Sequence, residues 1–279
     1  MLTATQLKSF LRAHHLRLTK RQGQHYLVDA HVVQRVVDSC RLSRDDTVVE
    51  IGSGLGALTE SLAAQAGRVI AVEVDELIAH LLVERMKPCP NVGVICQDIL
   101  RFPWNRVRGV TVVGAIPYAI TSPILVSLSE ARSVIRQAFL IVQAELAKRL
   151  VARPGTKAYG RLSILCQYTW QVTSLFPIPA SAFFPSPAVD SCCVQLVPRS
   201  TPHIRVNDER VFFDLVKAAF SHRRKTLVNC LREWGARSEV AQRLRQLGLP
   251  VSVRGEVLSL EQFAVLANTF ADISDRPSR

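Results

Sequence analysis

From residue 47 to residue 143 the chain alternates short, nearly unbroken apolar runs with longer stretches whose apolar residues return every three or four positions. The short runs, 47–51, 68–74, 91–96, 110–115 and 138–143, predict strands, and several are continuous apolar runs, as strands buried on both faces are. Between them, Leu58 with Leu62 in 57–66 and Leu77 with Leu81 in 76–87 supply helical stripes. This rhythm, with right-handed crossovers, implies a Rossmann-like, doubly wound parallel α/β sheet. After Tyr168 the texture changes: Phe176-Pro177-Ile178-Pro179 and Phe183-Phe184-Pro185-Ser186-Pro187 forbid helix and predict an extended, folded-back connection leading to a strand over 191–197. Residues 198–202 read as a linker. Beyond it, Phe212, Leu215, Val216, Ala219 and Phe220, then Leu227 with Leu231 and Leu260 with Ala264, predict a small all-helical domain. The expected division is 1–198 and 199–279.

With 279 residues, 48% hydrophobic and 21% charged, the chain has room for one large domain and a smaller one, and intrinsic disorder is excluded. No run approaches the roughly 18 uncharged apolar residues of a spanning helix, and residues 1–11 lack the apolar core of a secretion signal. A soluble, cytoplasmic protein without membrane attachment is expected. The 7 cysteines form no C-x-x-C pair and no His-spaced ligand pattern, so they read as reduced thiols, with no disulfide framework and no metal. Cys192 and Cys193 would face opposite sides of a strand.

Charge changes the picture. Lys and Arg total 35 against 23 Asp and Glu, a net +12 that suits a polyanionic partner. Residues 1–28 hold Lys8, Arg12, Arg17, Lys20 and Arg21 without a carboxylate, and His222-Arg223-Arg224-Lys225 forms a dense run further on. A basic, acid-free start also occurs in transit peptides; here it joins the motif region directly and is expected to be retained.

Val48-Val49-Glu50-Ile51-Gly52-Ser53-Gly54-Leu55-Gly56-Ala57 places a glycine-rich turn after the first strand, where glycines let a ligand approach the backbone. Gly52, Gly54 and Ala57 fit the G-x-G-x-x-G/A fingerprint, and Glu73 follows where a ribose-binding acid belongs, so the turn alone also fits a dinucleotide. Glu50 and Asp98 add two carboxylates at the same sheet edge. Three acids repel a pyrophosphate and suit a cationic nucleoside such as S-adenosylmethionine, with Glu73 accepting from both ribose hydroxyls and Asp98 from the adenine amine. The fourth strand ends in Ala115-Ile116-Pro117-Tyr118, an X-Pro-aromatic turn on that edge. Extended geometry before the proline aims a carbonyl at the cleft, and Tyr118 offers a flat face to a base. A mere strand terminator has the same residues.

The chain resembles the ribosomal RNA adenine dimethyltransferase family, which modifies adenines near the 3′ end of small-subunit RNA. It is more distantly similar to the large-subunit methyltransferases that confer macrolide resistance. The resemblance runs through Lys20-Arg21-Gln22-Gly23-Gln24-His25-Tyr26-Leu27, the Glu50 to Thr59 turn, Val69-Ile70-Ala71-Val72-Glu73-Val74-Asp75, Gln97-Asp98-Ile99-Leu100 and Ile116-Pro117-Tyr118. It continues in Tyr159-Gly160-Arg161-Leu162-Ser163, Phe183-Phe184-Pro185-Ser186-Pro187-Ala188-Val189-Asp190-Ser191 and Arg223-Arg224-Lys225-Thr226-Leu227.

The resemblance implies a monomeric, S-adenosylmethionine-dependent enzyme that dimethylates two adjacent adenines of 16S-type RNA in the small ribosomal subunit, with a helical C-terminal domain gripping the RNA. It implies cofactor contacts at Gln24, His25, Leu27, Glu50, Gly52, Gly54, Glu73, Val74, Asp98 and Ala115. It implies catalytic and base-stacking roles for Ile116, Pro117, Tyr118 and Phe183, with the adenine flipped from its stack. Arg223, Arg224 and Lys225 cannot share one helix face and are implied to reach phosphates from a turn. The family writes its catalytic turn as Asn or Asp, Leu, Pro, Tyr, so Ala115 removes a side-chain acceptor; His25 and Tyr26 also replace Asn and Phe. Loss of one hydrogen bond costs roughly 1.5–3 kcal/mol, on the order of 10- to 200-fold in rate. Ala115 therefore allows either a slowed dimethyltransferase or a cofactor- and RNA-binding assembly factor without methyl transfer. A large-subunit RNA methyltransferase is a further alternative. A nicotinamide oxidoreductase is another, although neither the Ile116-Pro117-Tyr118 turn nor the basic tail belongs to it.

Overall fold

A Thr3–Gln6 capping box starts helix α1 (Ala4–Ala13) in the computed structural model of the chain, which describes residues 2–14, 25–199, 204–222 and 224–271. Leu7 and Leu11, one helical turn apart, bury its inner face against Leu55, Ile78 and Leu81. Strand β1 (Tyr26–Leu27) follows, then α2 (Ala30–Ser39), capped by the Asp29 carboxylate and buried through Val33, Val36 and Val37. The alternation then runs β2 (Thr47–Ile51), α3 (Thr59–Gln65), β3 (Arg68–Glu73), α4 (Glu76–Met86), β4 (Val92–Cys96), β5 (Val110–Ala115), α5 (Thr121–Glu130) and β6 (Ile135–Gln143). Helices α6 (Ala144–Leu150) and α7 (Arg161–Thr169) precede β7 (Trp170–Ile178), β8 (Phe183–Phe184) and β9 (Ser191–Pro198).

Seven strands form one sheet in the order β4-β3-β2-β5-β6-β9-β7, and β1 pairs with β8 in a separate antiparallel ribbon. The five strands from β4 to β6 are parallel, as the continuous apolar runs predict, and Val48, Val49, Val112 and Val113 are fully buried. The later strand β9 pairs antiparallel with β6. The proline-rich segment before β9 builds no crossover helix, and a return without one is antiparallel. Pro177 sits in β7, at the sheet edge, where a missing N–H costs no ladder bond. Within the central pair, Gly114 lies opposite Ile51, and a Cβ there would come within 2.7 Å of the Ile51 carbonyl oxygen.

The chain divides into two units: Met1–Ala147 with Val172–Pro198, and Lys148–Gln171 with Arg199–Arg279. The second is helical, comprising α7, α8 (Glu209–Ala219), α9 (Leu227–Cys230), α10 (Arg237–Gln246) and α11 (Leu260–Ala271). The expected single boundary at 198/199 is thus corrected. Residues 148–171 join the helical unit because Tyr159, Ile164 and Tyr168 share its core with Phe212, Leu215 and Phe263. Tyr168 packs on Phe212 with ring centroids 5.0 Å apart.

Candidate active site

Within the first unit, the C-terminal ends of β2, β3, β4 and β5 open onto a cleft of about 1280 Å³. Ordinary small-molecule sites occupy roughly 300–1,000 Å³, so there is room for a nucleoside and a second flat group. The glycine turn forms one wall. Gly52 and Gly54 have φ of 66° and 52°, a region that side chains disfavour, and a Cβ on Gly54 would press to 3.2 Å from the Tyr26 ring. The Gly52 and Ser53 N–H groups both donate to the Val72 carbonyl, at 2.9 and 3.2 Å, pinning the turn to β3.

The three predicted carboxylates differ in state. Glu73 Oε2 accepts from the Gly54 N–H at 2.8 Å, and its Oε1 accepts from the Val74 and Asp75 N–H groups at 2.9 and 3.1 Å. It therefore closes the glycine turn onto the end of β3. A carboxylate has about four acceptor positions, so Glu73 keeps capacity to accept from a ligand. Glu50 is 1% exposed, and Thr59 Oγ1 donates to its Oε2 at 2.6 Å. Burial, opposed by the Thr59 hydrogen bond and assisted by the Glu73 charge, pushes its carboxyl up to about 8. In the cofactor-free protein Glu50 is thus mostly neutral at pH 7, and the negative character of the cleft rests on the other acids. Asp98 is half-buried and accepts from the Leu100 N–H at 3.0 Å, capping the short turn after β4.

The opposite wall is the turn after β5. Ala115 ends the strand half-buried, and the Ile116 N–H donates to the Ile141 carbonyl at 3.1 Å. Pro117 and Tyr118 follow at the cleft. The Tyr118 hydroxyl lies 2.8 Å from Oγ of Ser191, a fully buried residue at the start of β9. The β1–β8 ribbon pairs Leu27 with Phe183 and Tyr26 with Phe184, and this brings His25 alongside. His25 Nδ1 donates to the Pro185 carbonyl at 2.7 Å, and its ring centroid lies 5.9 Å from that of Tyr118.

Thus His25, Leu27, Glu50, Gly52, Gly54, Glu73, Val74, Asp98, Ala115, Ile116, Pro117, Tyr118 and Phe183 all border one cleft. Leu27 and Phe183 are buried, whereas Val74 is 69% exposed and gives the rim an apolar face. Gln24 lies outside the described residues. Ser191, Leu2 ahead of α1 and Leu7 within it also line the cleft and carried no site reading in the sequence. The Leu7–Leu11 spacing marks α1 as amphipathic; nothing in the local pattern singles out Ser191. Among the described residues no Lys or Arg lines the cleft, while Glu50, Glu73, Asp75, Glu76 and Asp98 do. That acceptor set fits a cationic nucleoside and opposes a pyrophosphate. Also among the described residues, no cluster of three or more His, Cys, Asp or Glu is arranged to hold a metal ion, and no helix is long and apolar enough to cross a membrane.

The family described as ribosomal RNA adenine dimethylase matches residues 15–272. The chain belongs to that family. Relatives named ribosomal RNA small subunit methyltransferase A, from Bacillus mycoides (strain KBAB4) and Bacillus cereus (strain B4264), are each 38% identical over 95% of this chain and 96% of their own length. Among solved structures, a dimethyladenosine transferase from Plasmodium falciparum aligns with TM-score 0.76 at 24% identity, covering 89% of this chain and 98% of that one. The 23S rRNA methyltransferase ErmE aligns with TM-score 0.67 at 27% identity, over 88% and 99%. The basic run singled out in the sequence lies in the second unit. Arg224 and Lys225 are exposed in the turn between α8 and α9, where the Lys225 N–H donates to the His222 carbonyl at 3.0 Å; Arg223 lies outside the described residues.

Proposed function

We propose that this chain is an S-adenosylmethionine-dependent ribosomal RNA methyltransferase that dimethylates the exocyclic amines of two adjacent adenines near the 3′ end of small-subunit RNA. The observation that carries the reading is the cleft in which the Glu73-closed glycine turn faces Tyr118 across the ends of β2 and β5. S-adenosylmethionine supplies an electrophilic methyl group on a sulfonium. Gly52 and Gly54 let it approach the backbone, Glu73 and Asp98 hold its polar groups by their remaining acceptor positions, and Val74 covers an apolar face. Nearby positive charge favours the ionised form of Glu50. Tyr118, steadied by Ser191, stacks the flipped adenine, with Phe183 and Leu27 closing the pocket behind it. Arg224 and Lys225, with Arg223, meet the phosphates.

The partner is the RNA of the small ribosomal subunit, and the protein works as a monomer in the cytoplasm. One observation favours a second reading, an assembly factor that binds cofactor and RNA without chemistry: Ala115 gives the β5 turn no side-chain acceptor. Methyl transfer from labelled S-adenosylmethionine to unmodified small subunits, comparing the natural chain with Ala115→Asn, tests both. Transfer by both chains to adjacent adenines is expected; transfer by the Asn variant alone would establish the assembly factor.

A further inference from the structure

An adenine amine carries two hydrogens, and its lone pair is delocalised into the ring. Holding both hydrogens aims that lone pair along the transfer axis. At the end of β5, Ala115, Ile116 and Pro117 have no side-chain acceptor, so the turn contributes backbone carbonyls only. A second acceptor must come from another element near Tyr118. Several acceptors in the cleft are already engaged: Glu50 by Thr59, Glu73 by three backbone N–H groups, and Ser191 by the Tyr118 hydroxyl. Gln97 and Asp98 follow β4, which stands three places from β5 in the sheet order, roughly 14 Å away at about 4.8 Å per strand.

His25 differs from all of these. Its Nδ1 lies 2.7 Å from the Pro185 carbonyl oxygen. A carbonyl oxygen only accepts, so Nδ1 carries the hydrogen, and in the neutral ring Nε2 presents a lone pair. Among the described residues Nε2 has no hydrogen-bond partner, and the ring borders the cleft 5.9 Å from Tyr118 with the two planes 31° apart. A base lying on Tyr118 can reach both rings. We propose that His25 Nε2 accepts one hydrogen of the target amine, supplying the side-chain acceptor that Ala115 lacks. This assignment rests on the methyltransferase reading of the cleft. As the nitrogen gains the methyl carbon, the donor leaves as a neutral thioether and the nitrogen sheds one proton, which passes to Nε2 and on to solvent. After one methylation a single amine hydrogen remains, and the backbone acceptor suffices to hold it. His25 therefore matters most for the first transfer.

The test uses the full chain and unmodified small subunits in single turnovers. In His25→Ala, at saturating S-adenosylmethionine, the first transfer is expected to slow by roughly 10- to 200-fold, and transfer to monomethyladenine by a clearly smaller factor. Ala115→Asn in that background restores the first transfer. A readout without cofactor accompanies it: the natural chain binds a target RNA carrying adenine more tightly than one carrying purine, and His25→Ala loses that preference. His25→Phe, which keeps a ring but no lone pair, repeats the comparison should Ala loosen the segment. Unchanged transfer and adenine preference in both variants would overturn the assignment, as would a loss confined to the cofactor KM. A natural chain that transfers nothing would instead overturn the reading on which the assignment rests.

Discussion

Glu50 takes up a proton when the chain folds, because burial holds its carboxyl at about 8 against an ordinary 4.5. Between those values the folded state binds more protons than the unfolded state, so this group's contribution to stability falls as pH rises from about 4.5 through about 8. Glu50→Gln removes the proton uptake while keeping an oxygen to accept from Thr59. Its unfolding free energy, without cofactor, is expected to gain on that of the natural chain across that window, by on the order of 1–4 kcal/mol at its upper end, with the melting temperature rising accordingly. Scans at pH 5 and pH 8.5 check this; an equal offset at both would contradict it. Ser191 acts on the opposite wall. Ser191→Ala frees the Tyr118 hydroxyl and is expected to lower kcat/KM about 5- to 10-fold, the worth of roughly 1 kcal/mol of hydrogen bond. Tyr118→Phe should cost the same, and the double variant no more than either alone, which a mutant cycle measures.

The element that sets the Ile116–Tyr118 turn is β5, and its position depends on a missing side chain. Gly114→Ala would drive a Cβ to 2.7 Å from the Ile51 carbonyl oxygen and 2.9 Å from Ile51 Cβ. Overpacking of this kind costs roughly 1–3 kcal/mol, readable as a lower urea midpoint, and it should depress activity by shifting the Ile116–Tyr118 turn. Strands β2 and β5 were legible to the residue because a strand buried on both faces is a bare apolar run between polar turns. Helices α1 and α2 left signals that can be read in retrospect, a Thr3 capping box with Leu7 and Leu11, and Asp29 ahead of Val33, Val36 and Val37. The β1–β8 ribbon left none. Two residues per strand carry no period, and its pairing joins positions 26–27 to 183–184 across most of the first unit. The consequences at the site follow from this. The acids and the Ile116-Pro117-Tyr118 turn were legible from their places after successive strands. The closing of the glycine turn by Glu73, the bond from Ser191 to Tyr118, and the placing of His25 beside that ring all depend on contacts distant in sequence.

At the scale of the whole molecule, the net charge of +12 makes RNA affinity a matter of counterions. Each phosphate contact adds about 0.7–0.9 to the slope of log affinity against log salt. Arg224→Ala and Lys225→Ala should each flatten that slope by nearly one unit while leaving the adenine-against-purine preference intact, as filter binding over a salt series would show. The helical unit offers a different test. Its core needs Tyr159, Ile164 and Tyr168 from residues 148–171, so a fragment of residues 199–279 lacks part of its own interior. That fragment is expected to show no cooperative unfolding by circular dichroism, whereas one carrying 148–171 through a short linker should regain it. The junctions at 147/148, 171/172 and 198/199 mean that the chain leaves the sheet unit, returns to it and leaves again. Such a thread cannot be cut once and retied. One cut at any single position leaves at least one unit short of a stretch of its own chain.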